Sequence, residues 1–266
     1  MAVKLAPVRG RRKPRGAARA GERSSPCFGT GKPAVPSTPY SVPRVNRVLV
    51  IDIGGSNVKL FATGRVGRVK IPSGPDLTPR LMVKAVLDAT AGWEYDVVTI
   101  GYPGPVVRGR IAMEPRNLGA GWVRFDFARA LDRPVRLIND AAMQALGSYR
   151  GRTMLFLGLG TGLGTTLIRE SVLVPLEVAH LPYRDGKSFE EWVGDAGLKD
   201  LGVARWRRHV AIVVDLLLQA LVADYAVLGG GNVRLLEELP PRSRRGNNAN
   251  AFRGGERLWR DEVVCS

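Results

Sequence analysis

The chain has 266 residues, 45% of them hydrophobic and 24% charged, which is enough for one large domain or two modest ones of ordinary globular composition. Forty Lys+Arg against 24 Asp+Glu leave a formal net charge of +16, a balance that invites a polyanionic partner. Two cysteines, Cys27 and Cys265, exclude a disulfide framework and a Cys-rich zinc site; the longest apolar region, 210–228, is interrupted by Asp215, Gln219 and Asp224, so no membrane span is expected and the default compartment is the reduced cytoplasm.

The charge is unevenly placed. Residues 1–44 hold ten basic side chains against one acid, Glu22, together with seven of the 18 prolines. With almost no apolar periodicity, this stretch cannot bury enough surface to fold alone, so 1–45 is predicted to be a disordered basic tail. It lacks the apolar centre of a secretory signal; a transit-like leader, a polyanion-binding arm and an over-extended start of the reading frame stay open. The tail's own +9 leaves +7 for the other 222 residues.

From Arg47 the texture changes. Residues 47–52 form an apolar run ending in Asp52, followed by Gly54-Gly55-Ser56-Asn57 and a second apolar run to Ala62, which reads as strand, tight turn, strand. Thr78-Pro79 ahead of Leu81, Met82, Ala85, Val86 and Ala89 predicts a helix with Thr78 as N-cap and proline in its first position. A short strand at 97–100 runs into a Gly-Pro loop at 101–105. Another at 135–138 is followed by Asn139-Asp140, which cap a helix at 141–148. Beyond it lie a strand at 154–157, a Gly-rich turn at 158–164, strands at 165–168 and 172–174, a helix at 205–222, a strand at 225–228, and Gly229-Gly230-Gly231 leading into a helix at 233–239. The alternation is that of an α/β protein. Two strand–Gly-turn–strand hairpins, at 47–62 and 153–168, hint at two related halves.

Three glycine-rich turns could carry chemistry. In Asp52-Ile-Gly-Gly-Ser-Asn-Val-Lys59 the glycines let backbone N–H groups approach an anion, and a carboxylate at the strand end can organise hydrated Mg²⁺. A plain hairpin explains the same residues equally well. Gly158-Leu-Gly-Thr-Gly-Leu-Gly164 fails the dinucleotide fingerprint because position 163 is Leu, and no Gly-Lys-Ser/Thr follows for a Walker loop. It still fits an anion-cradling hairpin, with close sheet packing as the alternative. The third turn, 229–231, would present a helix N-terminus to phosphate, or simply be a loop. Asn139-Asp140 reads first as a cap. Glu177 and His180 sit together in a short polar segment, and His209 reads as a solvated helix face.

Taken in order, these motifs resemble the sugar kinases of the actin-like ATPase superfamily, and more narrowly the ROK family, in its glucokinase and polyphosphate-glucokinase branch. The resemblance spans roughly 46–260 and implies an α/β fold of the actin-like ATPase (ribonuclease H-like) type in two domains: 46–140 and 141–240, with 241–266 packing back on the first. It implies that Asp52, Gly54, Gly55, Ser56, Asn57 and Lys59 hold donor phosphates with Gly160, Thr161 and Gly162; that Gly229, Gly230 and Gly231 border the nucleotide; and that Asp52 holds Mg²⁺ through water. Asp140 takes the place of the general base, and Asn117, Asn139, Glu177 and His180 match sugar-binding positions.

The implied reaction moves a phosphoryl group from a Mg²⁺-bound donor to the 6-hydroxyl of glucose or a similar hexose. ATP is the first donor expected and inorganic polyphosphate the alternative. Most members carry a Cys-rich zinc motif after the Glu-x-x-His; here Leu181-Pro-Tyr-Arg-Asp-Gly follows, so zinc is not expected. The family also contains repressors with an N-terminal helix-turn-helix, for which 44 Pro-rich residues are too few and too broken, so no DNA partner is expected. A non-catalytic regulator or polyanion-binding protein is the rival from another class, and a homodimer is allowed.

Overall fold

The computed structural model describes residues 47–247 and 249–260, and the backbone of 264–265; the expected disordered tail at 1–45 lies outside the described residues. Two mixed sheets organise the chain. The first uses β1 (Val48–Ile53), β2 (Asn57–Ala62), β3 (Val69–Pro72), β4 (Val97–Tyr102) and, after the small β5–β6 pair (Val106–Val107 with Arg110–Ile111), β7 (Val135–Asn139), in the order β3-β2-β1-β4-β7. The second uses β8 (Met154–Leu159), β9 (Leu163–Arg169) and β10 (Val172–Leu176). After a separate β11–β12 pair (Pro182–Arg184 with Lys187–Ser188) it adds β13 (Tyr225–Gly229), β14 (Ser243–Arg245) and β15 (Val264–Cys265), in the order β14-β13-β8-β9-β10-β15.

Each sheet is an antiparallel three-strand meander extended by parallel strands on the side of its first strand: β4 then β7 beside β1, β13 then β14 beside β8. The two halves therefore repeat one topology.

Strand β1 shows why the sheets form here. Leu49, Ile51 and Ile53 face one apolar cluster with α1 (Pro79–Ala89) and α2 (Phe127–Leu131), while Val48 and Val50 face another, so the strand is buried on both faces as its continuous apolar run requires. That second cluster joins the sheets: α3 (Asp140–Ser148) and α6 (Ala249–Arg260) lie in it with Met154, Phe156 and Ile168 of the second sheet. The far face of the second sheet is covered by α4 (Phe189–Val193) and α5 (Asp195–Ala220). Helices α3 and α6 cross backbone to backbone. A Cβ on Gly147 would run into the Asn250 carbonyl oxygen, and one on Gly254 into that of Met143. Helix α6 is also tied to the first sheet, where Thr99 Oγ1 donates to the Gly255 carbonyl (2.7 Å) and Trp259 Nε1 donates to Thr99 Oγ1 (2.9 Å).

Thr78 caps α1 as predicted, its hydroxyl accepting from the Leu81 N–H. Four expectations need correction. The second glycine turn is shorter than 158–164, because Gly158 and Gly164 are paired opposite each other in the β8–β9 ladder and only 160–162 turn. The long helix begins at Asp195 and breaks at Gly202, so its first turns lie upstream of the charged 205–208 stretch where the apolar pattern starts. No helix spans 233–239: the segment is one 3₁₀ turn, Gly231–Leu235, and Pro240-Pro241 cut off continuation. His209 is half-buried, sharing a hydrogen bond with the Tyr183 hydroxyl (3.2 Å) and packing on Trp192. Burial, then Arg184, Arg205 and Arg208, hold its pKa below the ordinary value. Among the described residues, no helix is long and apolar enough to cross a membrane.

Candidate functional site

The first hairpin places a carboxylate at the end of a buried strand. Asp52 is 4% exposed and stands opposite Lys59 in the β1–β2 register, so Lys59 Nζ donates to Asp52 Oδ2 at 3.0 Å. The turn between them is closed by the Gly54 N–H donating to the Asn57 carbonyl (3.0 Å) and by the Ser73 hydroxyl donating to the Gly54 carbonyl (2.5 Å). Gly55 and Ser56 at the tip are exposed.

Next to it, β7 delivers Asn139 and Asp140 to the head of α3. Asn139 is the N-cap: its Oδ1 accepts from the Ala142 N–H (3.0 Å), while its Nδ2 donates to the Gly104 carbonyl (3.1 Å). Asp140 is left free of the capping role and becomes the first helical residue, with Oδ1 accepting from the Ala141 N–H at 2.7 Å. Its pKa is raised from 3.8 to about 7. Withdrawal from water is the main cause and the charge of Asp52 the second; the Ala141 N–H and Lys59 pull the other way. A carboxyl titrating near neutrality is suited to accept a proton from a bound hydroxyl.

Two carboxylates that feel one another at the mouth of a glycine turn suit Mg²⁺, which takes one or two carboxylates and otherwise keeps water. Lys59 already occupies Asp52 Oδ2, so Asp52 would hold such an ion through the remaining oxygen and water.

The second hairpin lies against the same helix, a Cβ on Gly164 falling 2.9 Å from that of Ala141. Its tip, Gly160-Thr161-Gly162, is gripped from three sides. The Gly160 carbonyl accepts from the Asp195 N–H at the head of α5 (3.0 Å), Asn232 Nδ2 donates to Asp195 Oδ1 (2.6 Å), and Glu190 Oε2 accepts from the Leu163 N–H (3.3 Å). Thr161 is exposed. Gly230 (φ +84°) brings the third turn onto Leu159 so closely that any Cβ would meet the strand backbone, while Gly231 faces open space.

The sugar-site expectations converge on one cavity of about 510 Å³. Asn117, Glu177 and His180 line it with Gly55 of the first hairpin and Gly104 of the loop after β4. His180 Nε2 and Glu177 Oε2 are 3.7 Å apart, both largely exposed to that space. Asn139 and Asp140 are not lining residues; Asn139 touches the lining through its bond to the Gly104 carbonyl, and Asp140 follows it at the head of α3.

Three further residues went unnoticed in the sequence. Glu190 lines the cavity while bonding the second hairpin, so one side chain touches both subsites. Arg116 places a guanidinium on the cavity wall. Glu114 pins that wall by accepting from the N–H groups of Gly121, Trp122 and Val123, each at 3.0 Å. Burial alone would raise the Glu114 pKa; those three bonds outweigh it and hold it below the ordinary value. Only Glu190 had a sequence signal, Ser188-Phe-Glu-Glu191, and that reads as a helix cap, which Ser188 and Glu191 do form.

No family model matches the sequence. The polyphosphate glucokinase of Mycobacterium tuberculosis is 25% identical over 213 residues, covering 72% of this chain and 80% of that protein. Among solved structures, the inorganic polyphosphate/ATP-glucomannokinase of Arthrobacter sp. strain KM aligns with a TM-score of 0.68 at 22% identity, covering 80% of this chain and 98% of that one. The ROK hexokinase of Thermus thermophilus aligns at 0.61 and 22%, covering 79% and 96%. The fold is therefore the two-domain α/β fold seen in ROK sugar kinases.

Proposed function

We propose that the chain is a ROK-type hexose kinase, which transfers the terminal phosphoryl group of a Mg²⁺-bound donor to the 6-hydroxyl of glucose or a similar hexose. The observation that carries this reading is Asp140: a carboxyl raised to about 7 beside the Asp52 of a glycine hairpin, freed from capping by Asn139, which itself bonds the Gly104 wall of a polar cavity of about 510 Å³. In this reading Asn117, Asn139, Glu177, His180 and Glu190 pair the sugar hydroxyls, and a site that pairs specific hydroxyls rejects analogues lacking them.

The hydroxyl oxygen forms its bond to the terminal phosphorus as its proton passes to Asp140, and the shortened donor leaves with the electrons of the broken P–O bond. Backbone N–H groups at 54–57 and 160–162, with Lys59, hold the donor phosphates, and Gly229, Gly230 and Gly231 flank the rest of the donor. Mg²⁺, when bound by Asp52 through water, neutralises phosphate charge.

ATP and inorganic polyphosphate both fit as donors. The likeness to polyphosphate glucokinase and the chain's +16 support polyphosphate as the second reading. The test is Asp140→Asn. Glucose binding by calorimetry should be retained within about threefold, while turnover should fall by about 10² or more. Near-full turnover would remove Asp140 from the role of base.

A further inference from the structure

A second concavity, of about 490 Å³, opens at the opposite end of α3, about 12 Å along the helix axis from Asp140 at a rise of 1.5 Å per residue. Among the described residues its lining gathers six arginines, at 150, 244, 245, 253, 257 and 260, from three separate stretches of sequence, against one acid, Glu256. Glu256 is committed elsewhere: it accepts from the Thr63 hydroxyl (2.5 Å) and pairs with Arg260 (3.4 Å). Among the described residues, Arg150, Arg244, Arg245 and Arg253 form no ion pair.

Several of these guanidiniums are aimed and fixed by uncharged partners. Arg244 donates to the Ser148 carbonyl and packs over the Tyr225 ring, and Arg245 donates to the carbonyls of Val233 and Leu236 at 2.6 Å each. Arg257 donates to those of Leu146 (2.8 Å) and Tyr149 (3.0 Å). The carbonyls of Leu146, Ser148 and Tyr149 belong to the C-terminal end of α3, whose partial negative charge would repel an anion were it bare. Arg244 and Arg257 cover it with donors. For Arg244 and Arg245 these neutral partners satisfy geometry without cancelling charge, so with Arg150 and Arg253 they concentrate positive charge in a concave, pre-set site. Rigid guanidinium forks recognise phosphate oxygens bidentately.

We propose that this concavity is a binding site for a condensed phosphate, a short chain of linked phosphates, separate from the site of transfer around Asp140. It is a half-open concavity, and its volume of about 490 Å³ is on the scale of a few linked phosphates rather than of a duplex face. Arg150 and Arg253 are exposed and make no side-chain hydrogen bond among the described residues, so they supply binding without supporting the fold.

The experiment uses the full chain and Arg150→Gln/Arg253→Gln, titrated calorimetrically with tripolyphosphate, orthophosphate, ATP and a short DNA duplex. The basic tail and the catalytic hairpins are common to both proteins, so the difference between them isolates the concavity. The expected result is that one class of tripolyphosphate site weakens about tenfold or more in the variant, which is about 1.4 kcal/mol or more. Orthophosphate should bind far more weakly, and the unliganded melting temperature and ATP-driven glucose turnover should be unchanged. A matching loss for ATP would assign the same site to nucleotide-borne phosphates. Equal tripolyphosphate binding by both proteins would overturn the proposal. So would DNA binding that is as tight per phosphate and equally sensitive to the substitution, which would make the region a nucleic-acid face. Loss of tripolyphosphate binding with no kinase activity in either protein would refute the proposed function and leave this site standing.

Discussion

Asp140 links mechanism to stability in a way that can be measured without any substrate. A carboxyl whose folded pKa is raised from 3.8 to about 7 keeps its proton in the folded state at pH values where the unfolded chain has released it. Below about pH 4 both states are protonated and the group costs nothing. As pH rises from 4 to 7 the fold loses stability, and above 7 the full cost stands: about 4 kcal/mol, at about 1.4 kcal/mol per pH unit.

Asp140→Asn removes this cost. The amide oxygen can still accept from the Ala141 N–H, and the lost charge at the head of α3 gives back about 0.3–1 kcal/mol. The variant should therefore be about 2–4 kcal/mol more stable than the wild type at pH 8, a rise in Tm of roughly 5–10 °C for a domain of this size, with no advantage at pH 3. Thermal melts of both proteins from pH 3 to pH 8 check this. A variant that is less stable at pH 8, or a difference that does not change with pH, would refute the assignment of a raised, half-buried carboxyl to Asp140.

In the proposed mechanism the same group sets the pH dependence of the reaction. kcat/KM should rise through an acid limb with an apparent pKa near 7, and this limb should vanish from the residual activity of Asp140→Asn. Glu114→Gln loosens the 114–123 wall that carries Asn117, so the sugar KM should rise several-fold, roughly 3- to 10-fold, with kcat nearly unchanged; an equal fall in kcat would place Glu114 in the chemistry instead. Gly147→Ala drives a methyl into the Asn250 carbonyl where α3 crosses α6, and chemical denaturation should show a loss of about 1–3 kcal/mol; an unchanged midpoint would mean that the crossing is looser than described.

Much of this was legible in the sequence because burial leaves a local pattern. Residues 48–51 are apolar on both faces because both faces are covered, and Thr78-Pro79 announces its helix by chemistry confined to four residues. Asn139-Asp140 was readable as a cap, yet which of the two does the capping depends on Asn139 turning its Oδ1 to Ala142, and that distinction frees Asp140. The 233–239 segment misled because its apolar spacing suits a helix, whereas Arg245 and the Arg207–Leu235 bond tie it down as a loop.

The place of Glu190 in the cavity and the arginine concavity were hidden for a different reason. Glu190 matters through a contact 27 residues back in the chain, and the arginines at 150 and 244–260 meet because α3 and α6 cross at their glycines and β14, paired with β13, brings in Arg244 and Arg245. Sequence proximity carries no trace of either.

The central claim is transfer of phosphate to a hexose, and product identification tests it most directly. Purified protein with Mg²⁺, glucose, and either ATP or polyphosphate should yield a sugar phosphate whose ³¹P and ¹³C spectra place the new ester on carbon 6, with no product when glucose is omitted. Absence of any phosphorylated sugar across glucose, mannose, fructose and N-acetylated hexoses with both donors would contradict it.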